Sequence, residues 1–262
     1  MKEKKTDSQD FFREIQIEFL IHELKDPLSV IETGMRVLLE KKEKFGALSS
    51  RQEKTLRRSL RNTRKARQML YDMLEVGRSQ AGCIHCQAFD PANTAYEVLK
   101  DTLEFMSEKI SEQCNECGKE ESIRILSDHG VFFDISPQLV HAKMIQDEIK
   151  FRMILGNLIK NALHYRKSRL EISMRAADDF LLTEVADDGP GIAPAYHQAV
   201  FQRYAQVKNS ESAEWHRKGH GLGLACALIL TRSLGGDIEL ESGKGNGATF
   251  RLILPMTLKN GE

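Results

Sequence analysis

Three short motifs rich in glycine and asparagine lie one after another in the second half of this chain. They are NLIKN at Asn157–Asn161, DDGPGI at Asp187–Ile192 and GHGLGL at Gly219–Leu224. Any one of them is weak evidence, because glycine pairs occur in ordinary turns and asparagines in ordinary capped helices. All three together constrain the chain to a fold that brings a helix, a strand end and a helix start to one nucleotide-binding site.

Each motif contributes a different chemical group to that site. Asn157 and Asn161 are four residues apart, so their amides lie on one face of a predicted helix, and amide oxygens suit Mg²⁺. Asp187 ends an apolar run predicted to be a strand, and its carboxylate can accept a hydrogen bond from the amine of adenine. The glycines of Gly219–Leu224 open a predicted helix whose free N–H groups suit phosphate.

These motifs resemble the N, G1 and G2 boxes of the GHKL (Bergerat) ATP-binding fold, which histidine kinases share with gyrase B, Hsp90 and MutL. Phe201–Tyr204 resembles the F box of the kinases, and Gly243–Phe250 resembles the glycine-rich turn that closes the domain. Upstream, FLIHELKDPL at Phe19–Leu28 resembles the H box, whose histidine takes the phosphoryl group. The resemblance covers roughly residues 11–256 and is to a sensor histidine kinase catalytic core.

The resemblance implies a role for each matching residue. His22 would attack the γ-phosphate of ATP with Glu23 as general base, and Asn161 would hold Mg²⁺. Asp26 departs from the family pattern, because many relatives carry a threonine or asparagine there that orients water for phosphatase action. Arg203 would replace the F-box arginine, which is not in its usual place. The implied nucleotide-binding residues are Asn157, Asn161, His164, Tyr165, Asp187, Gly189, Gly191, Ile192, Arg203, Gly219, His220, Gly221, Leu222, Gly223, Leu224 and Thr249.

An unbroken heptad pattern of apolar residues precedes these motifs. Its members are Ile17, Ile21, Leu24, Leu28, Ile31, Met35 and Leu38. These heptad positions form an apolar seam, and His22 lies one residue past one of them, on the outward side. A second helix, which also has one apolar side, is predicted from about Arg51 to Gln80. Two helices with apolar stripes cannot bury both stripes alone, so the pattern and the resemblance both indicate a dimeric four-helix bundle.

The predicted fold class is α+β, with this helical hairpin followed by an α/β sandwich of the GHKL type. The predicted boundaries are a charged tail at 1–10, the dimerisation and phospho-acceptor hairpin at 11–80, the ATP-binding domain at 81–258 and a tail at 259–262. Within the second domain we predict helices near 91–113, 143–165, 194–203 and 221–235, and strands near 169–176, 180–187, 236–242 and 247–254. The polar segment Lys208–Lys218 is predicted to be a lid over the nucleotide.

The composition of the chain limits the kinds of partner that we expect for it. The 262 residues have a formal net charge of zero and a mean hydropathy of −0.40, which gives no overall attraction to nucleic acid. No apolar run is long enough to span a bilayer, so we expect no membrane segment in this chain and a cytoplasmic location. Residues 51–67 hold eight Lys/Arg against the single Glu53. That stretch is interpreted as a solvated helix face, with an acidic receiver domain, or less readily DNA, as the alternative partner.

Four of the five cysteines form two C-x-x-C pairs, Cys83 with Cys86 and Cys114 with Cys117. In a reducing compartment this pattern suggests metal or redox chemistry rather than structural disulfides. A four-cysteine Zn²⁺ or redox-switch site and ordinary free thiols both remain open. The 27 residues between the pairs exceed the usual zinc-ribbon spacing, which weighs against zinc.

The function predicted is ATP-dependent autophosphorylation of His22, followed by transfer to an aspartate of a response regulator receiver domain. A catalytically silent phosphotransfer scaffold and a conformational ATPase of the gyrase or Hsp90 type are the alternatives. The H box and heptad hairpin weigh against the ATPase, and the complete set of nucleotide motifs weighs against the scaffold. His22 lies close to the first residue, so the input is expected from a separate sensory partner, unless the chain is excised from a longer protein.

Overall fold

The computed structural model describes residues 23–106, 110, 113, 114, 116–202 and 221–258. The chain divides into two compact units, Met1–Ala81 and Gly82–Glu262. None of the helices in these ranges is long and apolar enough to cross a membrane.

The first unit is a helical hairpin. Residues 23–40 form helix α1, Lys42–Phe45 form the short helix α2, and Ser50–Gln80 form the 31-residue helix α3. Ser49 begins α3 with a capping box: the Ser49 hydroxyl accepts the Gln52 N–H, and the Gln52 side chain accepts the Ser49 N–H at 2.9 Å. This cap sets where the second helix of the hairpin starts.

Two ion pairs that share one buried carboxylate join the two long helices of the hairpin. Glu32 of α1 is 8% exposed and lies 3.0 Å from Arg64 and 2.6 Å from Arg67 of α3. Among the predicted seam positions Met35 is buried, whereas Leu24 and Ile31 are 47% and 50% exposed in this single chain. The described part of the seam is therefore only partly covered by the hairpin itself.

The second unit is a two-layer α/β domain. Its strands are β1 Gln87–Phe89, β2 Val131–Ile135, β3 Met144–Gln146, β4 Leu170–Ala177, β5 Phe180–Asp187, β6 Asp237–Ser242 and β7 Ala248–Pro255. Among the described residues, β1 pairs with β3, and a five-stranded sheet has the order β2-β4-β5-β7-β6. The β2–β4 pair is parallel and the other pairs are antiparallel.

Helices cover the sheet of this unit. They are α4 Pro91–Met106, α5 Lys119–Asp128, α6 Glu148–Tyr165 and α7 Gly223–Ser233. Burial alternates along β5 and β7, so one face of the sheet is apolar and packs beneath α6. The core side chains are Ile154, Leu155, Leu158, Ile159, Ala162, Leu170, Ile172, Leu181, Val185, Phe250, Leu252 and Leu254. The predicted succession of a helical hairpin and an α/β domain is confirmed.

The predicted strands and helices agree unevenly with the observed ones. The four predicted strands correspond to β4 to β7 within one or two residues. The helix predicted at 143–165 instead begins at Glu148, because Asp147 caps it and residues 144–146 pair as β3. The helix predicted at 194–203 is two short 3₁₀ turns, Pro194–Tyr196 and Ala199–Phe201. The three short strands β1 to β3 and helix α5 were not predicted.

Candidate functional site

Asp187, at the end of β5, holds a buried carboxylate with an unused oxygen. The residue is 9% exposed, and its Oδ1 accepts the Gly189 N–H at 2.8 Å. Its Oδ2 is buried and has no hydrogen-bond partner among the described residues. Burial and the neighbouring Asp188 raise the pKa of Asp187 to about 6. Leaving such a buried acceptor unpaired costs about 1–3 kcal/mol. A ligand N–H that donates to it would remove that cost.

The adjacent Asp188 has a different, structural task. Its carboxylate accepts the backbone N–H groups of Lys167, Ser168 and Arg169 at 2.8–3.1 Å, and the Ser168 hydroxyl at 2.7 Å. Partial burial acts to raise its pKa, but these hydrogen bonds outweigh that effect and hold it well below its usual range. Asp188 therefore fixes the α6–β4 loop against the end of β5, and Asp187 is the acid left for a ligand.

The glycines after Asp187 let two turns pack backbone against backbone. Gly191 has φ 69°, and a Cβ there would overlap the carbonyl oxygen of Gly243. Gly247 has φ 73°, and a Cβ there would overlap the carbonyl oxygen of Asp187. Ser242, which the sequence did not single out, joins the same two turns: its hydroxyl accepts the Ile192 N–H at 2.8 Å and donates to the Gly247 carbonyl at 2.6 Å. The floor beside Asp187 is thus built mainly of backbone, and the Ser242 hydroxyl links its two turns.

Replacing Gly191 with alanine is expected to disrupt this floor. The new methyl group would meet both a positive φ and the Gly243 backbone, which cannot move as a flexible side chain could. Gly245→Ala is the matched control, because Gly245 has φ 88° but nothing lies within 4 Å of the place where its Cβ would be. We expect Gly245→Ala to cost about 1–2 kcal/mol of stability and Gly191→Ala clearly more, with loss of nucleotide binding. Equal melting temperatures for the two variants would contradict the packing argument.

The amide edge of α6 faces the start of α7. A Cβ built on Gly223, the first residue of α7, would lie 3.1 Å from Oδ1 of Asn157. The helix start, whose first N–H groups have no partner within the helix, is therefore next to Asn157, and Asn161 follows one turn later on α6. Amide oxygens on a half-buried helix edge are hard donors, so the set fits Mg²⁺, which keeps several waters and bridges phosphates.

Other predicted residues lie around these elements. Tyr165 ends α6 and is 38% exposed, burial of its hydroxyl raises its pKa, and its ring contacts the His164 ring at 4.8 Å. Thr249 lies on β7 opposite Ala186, one residue from Asp187. Gly221, Leu222, Gly223 and Leu224 form the entry to α7 and are half-buried, as is Ile192.

Several predicted site residues lie outside the described residues. They are His22, Arg203, Gly219, His220 and the lid segment 208–218. Glu23 and Asp26 are described and are exposed on α1. The structure thus places Asp187 beside its glycine turns and Asn157 beside the start of α7, both within the second unit. The nucleotide, metal and phospho-acceptor roles stay predictions.

The four-cysteine metal site is not assembled. Among the described residues, no three His, Cys, Asp or Glu side chains are grouped to hold a metal ion. Cys83 and Cys86 are exposed before β1, whereas Cys114 is buried and Cys117 lies 3.4 Å from the Ser122 hydroxyl. The second pair thus packs against the start of α5. Partial desolvation and the nearby Asp147 carboxylate raise the pKa of the Cys86 thiol, and burial raises that of Cys114. Both effects disfavour the thiolates that bind metal or react.

Comparison with known families agrees with this geometry. Residues 146–258 match the family described as histidine kinase-, DNA gyrase B- and HSP90-like ATPase. Residues 13–82 match the His Kinase A (phospho-acceptor) domain, which includes His22. The chain belongs to the histidine kinases. The prediction of a sensor histidine kinase catalytic core is confirmed.

Histidine kinases of several bacteria are similar to this chain. The signal transduction histidine-protein kinase AfsQ2 of Streptomyces coelicolor is 29% identical over 245 residues, covering 89% of this chain and 40% of AfsQ2. The aerobic respiration control sensor protein ArcB of Escherichia coli is 27% identical over 241 residues, covering 91% of this chain and 28% of ArcB. The chain spans less than half the length of either relative.

A solved structure shares the fold of this histidine kinase. Full-length ShkA in complex with AMPPNP matches with a TM-score of 0.62 at 23% identity, covering 94% of this chain and 46% of ShkA.

Proposed function

We propose that this histidine kinase transfers the γ-phosphoryl group of ATP to His22 and then to an aspartate of a response regulator receiver domain. The observation that carries the proposal is the buried, unpaired Oδ2 of Asp187 beside a glycine floor. The match of residues 13–82 to the phospho-acceptor family supports His22 as the acceptor of the phosphoryl group. Because ATP is the proposed donor, a cytoplasmic location is part of the proposal.

In this proposal, different residues of the ATP-binding domain bind different parts of ATP. Asp187 accepts the adenine amine on Oδ2, and the glycine floor lets the base lie close to the backbone. The first N–H groups of α7 hold the phosphates, and we assign Gly219 and His220, which precede them in the sequence, to the same contact. We assign Tyr165, His164, Ile192 and Thr249 to the remaining nucleotide contacts, and Arg203 to a phosphate contact because of its F-box-like place in the sequence.

The metal and the base complete the chemistry. Mg²⁺ held by Asn161, with Asn157 beside it, would neutralise charge on the phosphates. Glu23, next to His22 on the chain, withdraws the proton of the other ring nitrogen so that the imidazole can act as nucleophile. Phosphoryl transfer needs mainly positioning and charge neutralisation, and these groups supply both.

Three partners belong to the proposal. The apolar residues left exposed on the hairpin, including Leu24 and Ile31, are suited to burial in a homodimeric four-helix bundle. A receiver domain is the phosphoryl acceptor, and a separate sensory protein or segment supplies the stimulus. The exposed basic stretch of α3 remains a solvated face in this proposal.

Incubation with γ-labelled ATP and Mg²⁺ tests the function. The expected product is a labelled protein whose phosphate is lost in acid and kept in alkali, as for a phosphoramidate. Steady hydrolysis of ATP without labelled protein would instead indicate a conformational ATPase. Nucleotide binding with neither reaction would indicate a silent scaffold.

Weak phosphatase activity toward the phosphorylated receiver is expected from Asp26. An ionised carboxylate four residues after His22 repels an incoming acyl phosphate and cannot donate a hydrogen bond to water. Asp26→Asn and Asp26→Thr are therefore expected to raise the dephosphorylation rate by about tenfold, measured as loss of label from a purified receiver. Glu40→Gln, which removes another exposed charge from α1, serves as the control. Rapid dephosphorylation by the unsubstituted protein would refute this interpretation of Asp26.

A further inference from the structure

The segment that follows the hairpin is fastened to the helix that carries the two asparagines. The Lys150 ammonium donates to the Cys83 carbonyl at 2.6 Å and to Oδ2 of Asp147 at 2.8 Å. The same Oδ2 accepts the His85 N–H at 3.0 Å, and Oδ1 accepts the Lys150 N–H at 3.1 Å as the N-cap of α6. Residues 83–85 are therefore held against the first turn of α6.

The groups that form this fastening are almost fully buried. Lys150 is 1% exposed and Asp147 is 3% exposed. Burial acts to raise the pKa of Asp147, but the hydrogen bonds from Lys150 and His85 outweigh it and keep the pKa below its usual value. A buried ion pair is often no more stabilising than an apolar pair of the same size. What this ion pair adds is specificity, because the Lys150 ammonium binds one particular backbone carbonyl, that of Cys83.

The fastening binds residues near the start of the second unit, which begins at Gly82. Helix α3 ends at Gln80, and Gly82 has φ 75° with nothing within 4 Å of a Cβ position, so the chain can pivot there. Only Ala81 and Gly82 separate the end of α3 from the bound Cys83. Without the fastening, the free segment would extend to Gln87, where β1 begins.

We propose that Asp147 and Lys150 are positioning residues for phosphoryl transfer. By binding the Cys83 carbonyl to the start of α6, they limit the free chain between the phospho-acceptor hairpin and the nucleotide site to Ala81 and Gly82. A shorter tether leaves fewer orientations to search before the two reacting groups meet, so it raises their effective concentration. This inference rests on the proposed kinase function.

Lys150→Met tests the inference, because methionine keeps the unbranched stem and removes the ammonium. We expect the kcat of autophosphorylation to fall by about tenfold while the KM and Kd for ATP stay unchanged. Amide hydrogen exchange of residues 84–86 should become faster in the same variant. Lys143→Met, at an exposed lysine just before β3, is the matched control and should change neither quantity.

Asp147→Asn provides a second variant if Lys150→Met does not fold. It keeps an oxygen to cap α6 and removes the charge that holds Lys150. We therefore expect a smaller fall in kcat, again with unchanged KM and Kd for ATP. An unchanged kcat with faster exchange, or a fall in kcat matched by lost ATP affinity and a lower melting temperature, would overturn the positioning role. Unchanged exchange in Lys150→Met would overturn the fastening itself. Absence of labelling in the unsubstituted protein would instead overturn the proposed function, and the exchange result would still stand.

Discussion

Replacing His22 with alanine is expected to abolish labelling of the protein by γ-labelled ATP while leaving ATP affinity unchanged. The physical reason is that nucleophile and nucleotide site belong to different parts of the chain. His22 lies in the region matched to the phospho-acceptor family, whereas Asp187, Asn157 and Gly223 lie in the ATPase-type domain. Removing the imidazole therefore removes the acceptor atom and touches no group that holds ATP. The loss should reach the detection limit, at least about a thousandfold.

His141→Ala is the matched control for this experiment, because His141 is an exposed histidine of the ATP-binding unit. It should label at the rate of the unsubstituted protein. A fluorescent nucleotide titration of both variants separates binding from transfer. Stable labelling of the His22→Ala protein would refute the assignment of His22 as acceptor.

Substituting Asp187 is expected to have the second largest effect. Asp187→Ala removes the acceptor for the adenine amine, a hydrogen bond to a charged group worth about 1.5–3 kcal/mol, so ATP affinity should fall about 10- to 150-fold. Asp187→Asn should also bind ATP poorly, because its amide N–H groups can face the adenine amine. Its folding stability should not fall, since the neutral amide relieves the burial of a charge.

Asp188→Asn gives the opposite pattern and serves as the comparison. An amide has one acceptor oxygen, so it cannot accept all the backbone N–H groups that the Asp188 carboxylate binds. Stability should therefore fall by about 1–3 kcal/mol. Unimpaired ATP binding by Asp187→Ala would show that the unpaired oxygen is not the adenine contact.

The pH dependence of Asp187 follows from its pKa of about 6 in the folded protein. Because this value lies above the ordinary value, the folded state holds the proton between pH about 4 and 6, and stability falls as pH rises through that window. ATP binding has the opposite dependence, because a proton on Oδ2 would turn the acceptor for the adenine amine into a donor. Below pH about 6, affinity attributable to Asp187 should fall about tenfold per pH unit, measured by calorimetry in buffers of different ionisation enthalpy.

Phosphate groups of the nucleotide also titrate near pH 6, so a baseline is needed. Asp187→Asn supplies it, because the variant keeps the nucleotide titration and lacks the carboxyl group. The difference between the two proteins is the contribution of Asp187. Identical pH profiles would contradict the raised pKa or its link to ATP.

The sequence by itself determined the family, the fold class and the residues worth testing in the nucleotide site. These features are encoded locally. Strands β4 to β7 are long enough for their alternation to be read directly, and the asparagines of α6 and the glycines beside Asp187 are set by spacing within one element. The short strands β1 and β3 have three residues each and carry too little periodicity to be recognised.

Only the tertiary structure decided how neighbouring candidates divide their tasks. Asp187 and Asp188 are adjacent acids in sequence, yet one points an unpaired oxygen inward and the other binds the α6–β4 loop. The two C-x-x-C pairs have metal-like spacing, yet the described structure gathers no ligand set from them. Lys150 looks like an ordinary surface lysine in the sequence but is buried against Cys83, 67 residues away. Each outcome depends on contacts between residues far apart in the chain, which spacing within a motif cannot encode.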